Sequence, residues 1–533
     1  MRASVIIPAY QAAPTVADTV CAARQIPGVA EVIVVDDGSR DDTAEAARRA
    51  GADEVISLGR NQGKGAALFA GVSAARHDLL LFLDADLGES AARVAPLLAA
   101  VGDHAGMAVA SLPIPTSRAG VGLARGLAHA AIRLLTGLRV AAPLSGQRAL
   151  PSSLVKHVGI ASRFGVEVGL TVETAHLGVP MVEVSLPLEH RHTGRSVSGF
   201  LHRGKQFASV LQVLLLVGYG LGWPALSGRR TARRVAIWLL CFAALLAVGG
   251  AVSPALMEHL AVVAVAGVAA WLPVLWISAV WLGLRKANYL GRTLPAGAGL
   301  LVPLVGLPAI WFSPLEPRLR SAGLIAVGVL GAVGLLDDLW HGKSQARGLR
   351  GHLRALARGR LTTGAIKALG GMGAGLAAGC LLDPGEPGLI ALDALVIALS
   401  ANLINLLDLR PGRALKGFGL LCVLAIVIAP DSLHLLGAFL AAAIVLAPAD
   451  FAGRTMMGDV GANVLGGVAG LALITSLPPW ARLAAVVVLV AIHIICERVS
   501  LSDIIPRSRV AAFLDRLGTE HLSALPAREV ASS

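Results

Sequence analysis

The chain has 533 residues, 55% of them hydrophobic and only 15% charged, with a formal net charge of +12. A mean hydropathy of +0.71 excludes an ordinary soluble globular protein of this length. The charge argues for no nucleic-acid partner, because no recognition motif accompanies it and the Lys and Arg residues collect in loops between apolar runs, as cytoplasmic loops of membrane proteins do.

The chain opens MRASVIIPAY, whose apolar run is too short for a signal peptide and leads directly into domain-like sequence. The first domain is therefore expected to stay in the cytosol. Residues 1–205 mix charged and apolar positions in the manner of a soluble domain. Within them, Ser4–Pro8, Glu31–Val35 and Asp78–Leu83 read as short buried strands, with helical stretches at Ala13–Gln25 and Lys64–Arg76 between them. Strand alternating with helix predicts an α/β domain on a parallel, doubly wound sheet. Ligands of such sheets lie beyond the carboxyl ends of the strands. Three polar clusters fall there: Pro8, Ala9 and Tyr10; Asp36, Asp37, Gly38 and Ser39; and Asp84 and Asp86 flanking Ala85. Two aspartates spaced i, i+2 after a buried strand suit a divalent cation held against a diphosphate.

The apolar stretch Phe207–Leu226, followed by the basic RRTARR of Arg229–Arg234, reads as an interfacial helix and linker over 206–234, with an additional membrane span as the alternative. From about Val235 onward, apolar runs long enough to cross a bilayer recur. They predict an all-α polytopic domain over 235–498 with spans near 235–252, 259–283, 296–313, 321–337, 364–382, 389–406, 417–429, 432–448, 460–477 and 480–497, about ten in number, and a cytoplasmic tail over 499–533. Basic residues concentrate in the loops 284–295, 338–363, 407–416 and 449–459, while the alternate loops SPALME, DPGEPG, PD and PPW hold none; Arg318 and Arg320 are the exception. The bias predicts both termini inside. Cys21, Cys241, Cys380, Cys422 and Cys496 are scattered and form no CxxC pair, so no disulfide framework is expected.

This topology brings four acids to one membrane face. Asp337 and Asp338 end the fourth span, Asp408 follows the sixth, and Asp459 begins the ninth. Carboxylates beside hydrocarbon are costly unless a ligand uses them, and Mg²⁺ is the economical candidate. Helix capping with interfacial solvation is the competing explanation.

The succession VDDGSRDDT (Val35–Thr43), NQGKGAAL (Asn61–Leu68) and DAD (Asp84–Asp86) resembles the family-2 inverting glycosyltransferases with a GT-A fold, over about residues 3–200. The resemblance implies that Pro8, Ala9, Tyr10, Asp36, Asp37, Gly63 and Lys64 bind a nucleotide sugar, UDP- or GDP-linked, and that Asp84 and Asp86 hold Mg²⁺ or Mn²⁺, with Asp86 the direct ligand. SGQRAL (Ser145–Leu150) and the run Phe164–Arg195 resemble the acceptor side of polyprenyl-phosphate sugar synthases. Gln147, Arg148, Arg191 and Arg195 would then meet a lipid phosphate, or else be solvated surface groups. Glu167 would act as a base toward a hydroxyl acceptor; toward an anionic phosphate it would only orient.

The segments KANYLGRTLPAGAGL (Lys286–Leu300), GLLDDLWHGK (Gly334–Lys343), Lys367, NLINLLD (Asn402–Asp408) and MMGDVGANVLGG (Met456–Gly467) resemble the polyprenyl-phosphate sugar-1-phosphate transferases, over about 235–510. That resemblance implies Asp337 and Asp338 at the lipid phosphate and metal, Asn405 and Asp408 at the nucleotide sugar, Asp459 on Mg²⁺ and Lys367 attracting the lipid phosphate. Two departures stand out. Many members continue with DGxDG where this chain has DLRPGRA (Asp408–Ala414), and many carry a histidine cluster where it has HIICERVSLSDIIPRSR (His493–Arg509). Arg410, Arg413, Glu497, Arg498 and Arg507 are candidate replacements at the nucleotide, and loss of catalysis with lipid binding retained is the alternative. The combined reading is a bifunctional membrane glycosyltransferase. Its rivals are a chain catalytic only in its soluble half and a non-catalytic envelope-assembly scaffold or transporter.

Overall fold

The computed structural model describes residues 2–104, 106–111, 122–158, 165–188, 207–215, 217, 229–287, 293–340, 362–499, 501–517 and 519. The chain divides into two compact units, Met1–Arg233 and Arg234–Ser533. The first therefore reaches beyond the residue-205 boundary expected from sequence texture.

The first unit is built on a seven-stranded sheet. Its strands are β1 (Ala3–Ala9), β2 (Val29–Asp36), β3 (Glu54–Ser57), β4 (Leu79–Phe82), β5 (Met107–Ser111), β6 (Arg148–Pro151) and β7 (Met181–Ser185), in the order β3-β2-β1-β4-β6-β5-β7. β1 and β4 are apolar runs buried on both faces, as expected of strands covered by helices on each side. The covering helices include α1 (Val16–Arg24), α2 (Thr43–Arg49) and α3 (Lys64–Ala74) on the early strands, then α4 (Ala95–His104), α5 (Gly122–Thr136), α6 (Ser152–Val158) and α7 (Val166–His176). The expectation of a wholly parallel sheet needs correction. β6 lies between β4 and β5 and runs antiparallel to both.

Residues 207–215 are helical, and Val210, Val213 and Val217 are buried in the same apolar cluster as Phe82 and Leu150. The described part of the stretch expected to lie at the membrane interface thus packs one face into the soluble core. Residues at i, i+3 and i+7 form one stripe of a helix, and here that stripe is Val-rich.

Every one of the ten expected spans is occupied by a helix: α8 (Arg229–Val252), α9 (Pro254–Trp276), α10 (Leu301–Phe312), α11 (Pro317–Leu339), α12 (Thr363–Leu382), α13 (Pro387–Leu407), α14 (Arg413–Ile428), α15 (Leu433–Phe451), α16 (Gly458–Ser476) and α17 (Pro479–Arg498). Seven apolar helices, at Pro254–Ala279, Pro317–Leu339, Thr363–Leu382, Pro387–Leu407, Pro430–Phe451, Gly458–Ser476 and Pro479–Arg498, are long enough to cross a membrane; Ala236–Val252 and Ala298–Phe312 are shorter apolar helices. Between α9 and α10 a small antiparallel hairpin forms, β8 (Arg285–Ala287) with β9 (Thr293–Pro295). Most of the basic loop 338–363 lies outside the described residues.

Helix α16 is the centre of this unit and is almost wholly buried. In a bilayer, close helix packing replaces the hydrophobic effect as the associating force, and small residues permit it. Gly466 lies so close to α13 that an added methyl group would sit 2.4 Å from the Ser400 carbonyl oxygen. At the opposite extreme, α17 faces mostly outward. It is tied to the bundle by Arg482, whose guanidinium donates to Asp383 Oδ2 at 2.6 Å and to the fully buried Asp393 Oδ1 at 2.9 Å. Removing the cation would leave Asp393 as an uncompensated buried charge. Arg482→Ala is therefore expected to cost about 3–5 kcal/mol, read as a large fall in the thermal midpoint of the detergent-solubilised protein. An unchanged midpoint would show that the pair contributes nothing net. The contact also sets direction. Arg482 lies in the first turn of α17 and Asp393 in the second turn of α13, so the ends of both helices, Arg498 and Leu407, lie together at the other end of the bundle.

Candidate functional site

In the first unit, Ala9, Asp36 and Asp84 follow or end β1, β2 and β4, so all three clusters fall at the carboxyl edge of one parallel set. Asp37 is buried, and its two carboxylate oxygens accept the backbone N–H groups of Gln62 and Gly63, both at 2.7 Å. It thereby pins the loop that delivers Lys64 to the start of α3. Burial outweighs those two bonds and holds the Asp37 carboxyl above its ordinary range. Asp36 Oδ1 accepts from the Ser39 N–H at 3.0 Å, and the Ser39 hydroxyl in turn accepts from the Gln11 N–H at 2.9 Å. Gln11 has φ of 50°, a left-handed conformation uncommon outside glycine, immediately after the half-exposed Tyr10. Pro8 and Ala9 shape the end of β1 beneath it.

The centre of this site is a charge network. Lys64 Nζ lies 2.5 Å from Asp84 Oδ1 and 2.8 Å from Glu167 Oε1. Asp84 Oδ2 accepts from Gln147 Nε2 at 2.7 Å. Burial disfavours the Lys64 ammonium, but the two carboxylates outweigh burial and raise its pKa. Gly146 belongs to the same arrangement, since a methyl group there would fall 2.5 Å from Lys64 Nζ and 2.6 Å from both Asp84 oxygens. Asp86 is half-buried two residues on.

Two residues expected to meet an acceptor phosphate are placed differently. Gln147 is fully buried and serves Asp84. Arg148 is also buried, its Nε donating to the Ser145 carbonyl at 2.9 Å and Nη1 to Thr171 Oγ1 at 3.0 Å. Arg148 begins β6, an interior strand, and Gln147 immediately precedes it, so both are covered by the neighbouring elements; burial pushes the Arg148 guanidinium down to about 10. Arg191 and Arg195 lie outside the described residues.

In the second unit the four aspartates converge. Gly334 is the reason: its α-carbon lies so near α16 that a methyl group would sit 2.6 Å from the Asp459 carbonyl oxygen. One turn later Asp338 reaches the start of α16, and its carboxylate accepts the Asp459 and Val460 N–H groups, each at 3.2 Å. Asp408 Oδ2 accepts the neighbouring Gly458 N–H at 3.0 Å. Carboxylates thus cap the positive end of a buried helix, which stabilises both. Two lysines complete the cluster. Lys367 Nζ bridges Asp337 Oδ2 at 2.5 Å and Asp459 Oδ1 at 2.9 Å, and Lys286 Nζ bridges Asp338 Oδ1 at 2.7 Å and Asp459 Oδ2 at 3.3 Å. Asn405 sits in the last turn of α13, where its carbonyl accepts the Asp408 N–H at 3.2 Å.

Sequence reasoning assigned no role to Lys286 or Asp450. Lys286 stands in a quoted motif, but its reach to carboxylates 52 and 173 residues away gives no local signal. Asp450 ends the apolar α15 and accepts the Gly412 N–H at 2.7 Å. With Asp408, Arg410 and Thr455 it lines a small, open hollow. Arg413, a candidate nucleotide contact, is instead held by Asp515, Nε to Oδ1 at 2.6 Å and Nη2 to Oδ2 at 2.9 Å.

No group of three or more His, Cys, Asp or Glu side chains is arranged to enclose a metal ion among the described residues. The donors still suit a hard cation, being carboxylate oxygens. An ion at Asp84 and Asp86 would complete its shell with substrate phosphate oxygens, as Mg²⁺ does. In the second unit the lysine ammoniums lie between the carboxylates, so a cation there would take over contacts that Lys286 and Lys367 make.

Residues 4–120 match the family model described as glycosyl transferase family 2. A glucosyl-3-phosphoglycerate synthase of Mycolicibacterium paratuberculosis is 32% identical over 227 residues, covering 38% of this chain and 69% of the relative. An undecaprenyl-phosphate 4-deoxy-4-formamido-L-arabinose transferase of Pseudomonas paraeruginosa is 42% identical over 93 residues, 16% of this chain and 27% of that protein, so the match spans about a quarter of its length. Among solved structures, the Mycobacterium tuberculosis glucosyl-3-phosphoglycerate synthase with Mn²⁺, UDP and phosphoglyceric acid is 29% identical, with 40% of this chain and 78% of that chain covered and a TM-score of 0.35. Through its amino-terminal unit, the chain belongs to glycosyl transferase family 2.

Proposed function

We propose that the first unit transfers a sugar from a nucleotide sugar to a phosphate-bearing acceptor at the membrane, polyprenyl phosphate or its sugar-linked form. We further propose that the second unit transfers sugar-1-phosphate from a UDP-sugar to polyprenyl phosphate. The observation that carries the first part is the Lys64–Asp84–Glu167 network at the carboxyl edge of the sheet. In the reaction, an acceptor oxygen attacks the anomeric carbon, the bond to the diphosphate breaks with inversion, and the nucleoside diphosphate leaves with the bonding electrons. A divalent cation bound at Asp84 and Asp86 supplies charge neutralisation for that leaving group. Lys64 adds a fixed positive charge beside it. Glu167 is buried and already engaged by Lys64, which supports a positioning role when the acceptor is polyprenyl phosphate, whose oxygen arrives anionic; with the sugar-linked form the attacking hydroxyl's proton would pass to the Glu167 carboxylate.

The second part rests on the convergence of Asp337, Asp338, Asp408 and Asp459 with Lys286 and Lys367. The two lysines contact Asp337, Asp338 and Asp459, while Asp408 caps Gly458 beside them, so carboxylate oxygens that suit a metal-bound phosphate are gathered with the positive charges that would meet it. There a lipid phosphate oxygen would attack the sugar-linked phosphorus and release UMP. Placing both activities in one chain would raise the effective concentration of a lipid intermediate.

A second reading of the first unit is transfer to a hydroxyl of a small phosphorylated acid. The similarity to glucosyl-3-phosphoglycerate synthase over most of that protein favours it. Purified full-length protein with Mg²⁺ and a panel of nucleotide sugars separates these readings when undecaprenyl phosphate or 3-phosphoglycerate is the acceptor. Nucleoside diphosphate formed only with the lipid, and lost in Asp86→Ala, is the expected result. Turnover with 3-phosphoglycerate alone would favour the second reading, and no nucleotide release with either would sink both.

A further inference from the structure

We propose that the carboxy-terminal helix α18 (Arg509–Arg516) is a membrane-surface anchor, seated with its apolar face in the bilayer boundary and its basic residues against anionic headgroups. Helices on soluble proteins turn their apolar face to the protein and their polar face to water. This one does the reverse. Val510, Phe513, Leu514 and Leu517 are exposed by 70%, 60%, 52% and 49%. Its acid, Asp515, points inward, binding the guanidinium of Arg413 through both oxygens, while the Asp515 carbonyl accepts from Lys416 Nζ at 2.7 Å. A helix held by its polar side and bare on its apolar side needs an apolar partner.

Two features identify that partner as lipid. The first is continuity. The preceding helix α17 presents Val487, Val488, Ile494 and Ile495 outward, at 61%, 57%, 50% and 51% exposure, as a lipid-facing span does. The chain turns from its end at Arg498 into α18 within about three turns of helix. Arg413, to which α18 is latched, begins α14 just after the end of α13, and α13 ends at the same end of the bundle as α17. The exposed stripe therefore lies at the depth where the spans leave the bilayer. The second feature is charge. With Asp515 neutralised by Arg413, the outward charged groups over residues 501–517 are Arg507, Arg509 and Arg516 against one acid, Asp503, and the helix itself presents only Arg509 and Arg516, a net basic surface suited to anionic headgroups. The latch also connects this surface to the 408–413 loop of the acidic cluster. The inference depends on the membrane topology and not on which reaction either unit catalyses.

The test uses unmodified full-length protein in vesicles of phosphatidylcholine, with or without phosphatidylglycerol, each doped with a lipid carrying a diazirine near the glycerol end of its acyl chain. After irradiation, trypsin releases Val510–Arg516 as one peptide. We expect lipid adducts on that peptide, with a higher yield when phosphatidylglycerol is present, and Phe513→Asp should remove most of them. If the peptide carries no adduct while peptides of Pro479–Arg498 are labelled, the helix faces water or protein and the proposal falls. Equal yields in the two vesicle types would overturn the anionic-headgroup part.

Discussion

Asp84→Ala is expected to reduce nucleoside diphosphate release by about 10³-fold or more, equivalent to ~4 kcal/mol of lost transition-state stabilisation. The size follows from what this carboxylate holds. It accepts from both Lys64 and Gln147, so its removal frees a buried ammonium and a buried amide at once. Lys64 would retain Glu167 alone, and the positive charge would swing away from the position a departing diphosphate needs. Asp84→Asn separates chemistry from folding, because the amide keeps the shape and one acceptor while removing the charge. We expect it to retain most of the thermal stability and little of the turnover. Turnover above a tenth of wild type in Asp84→Ala would remove this residue from the working site.

Asp459→Asn is the corresponding change in the membrane unit, and there UMP release is expected to fall by about 10³-fold while nucleoside diphosphate release persists. Asp459 is the only one of the four aspartates whose side chain contacts both lysines. The protein should remain folded, because Lys286 keeps Asp338, Lys367 keeps Asp337, and the start of α16 keeps its cap on Asp338. Two outcomes would count against catalysis in this unit. Wild-type protein that releases no UMP leaves the aspartates as structural caps. UMP release that survives Asp459→Asn places the phosphosugar chemistry elsewhere. If both nucleotides vanish together, the two units are coupled through one lipid substrate.

Much of the architecture was legible from local pattern. The β-branched runs at Ser4–Pro8 and Glu31–Val35 became β1 and β2 with one or two residues added at each end, and Lys64 does begin α3. Each of the ten apolar runs is occupied by a helix, seven of them long and apolar enough to cross a membrane, because a long apolar run has few alternatives to helix in a bilayer. Less was legible where strands were short or paired at a distance. β3 has four residues and only partial burial, and β6 takes its antiparallel place from partners about 40 and 70 residues away. Phe207–Leu226 read as interfacial from apolar composition alone; over its described residues Val210 and Val213 pack into the core while Phe207, Leu211 and Leu215 remain exposed, a division of faces that composition does not reveal.

By itself the sequence determined the two-part plan, the strand-end acids of the first unit and the gathering of the four aspartates at one end of the helical unit, since these follow from periodicity and the placing of acids at the ends of apolar runs. Only the tertiary structure decided the contacts: Lys64 between Asp84 and Glu167, Gln147 and Arg148 turned inward, Lys286 and Lys367 set among the aspartates, and Asp515 on Arg413. Each joins groups that are between 20 and 173 residues apart, or turns on which face of a strand is buried. A charged side chain carries no mark of its partner in its own sequence neighbourhood. Its partner is chosen when helices close upon glycines such as Gly334 and when strands fall into register.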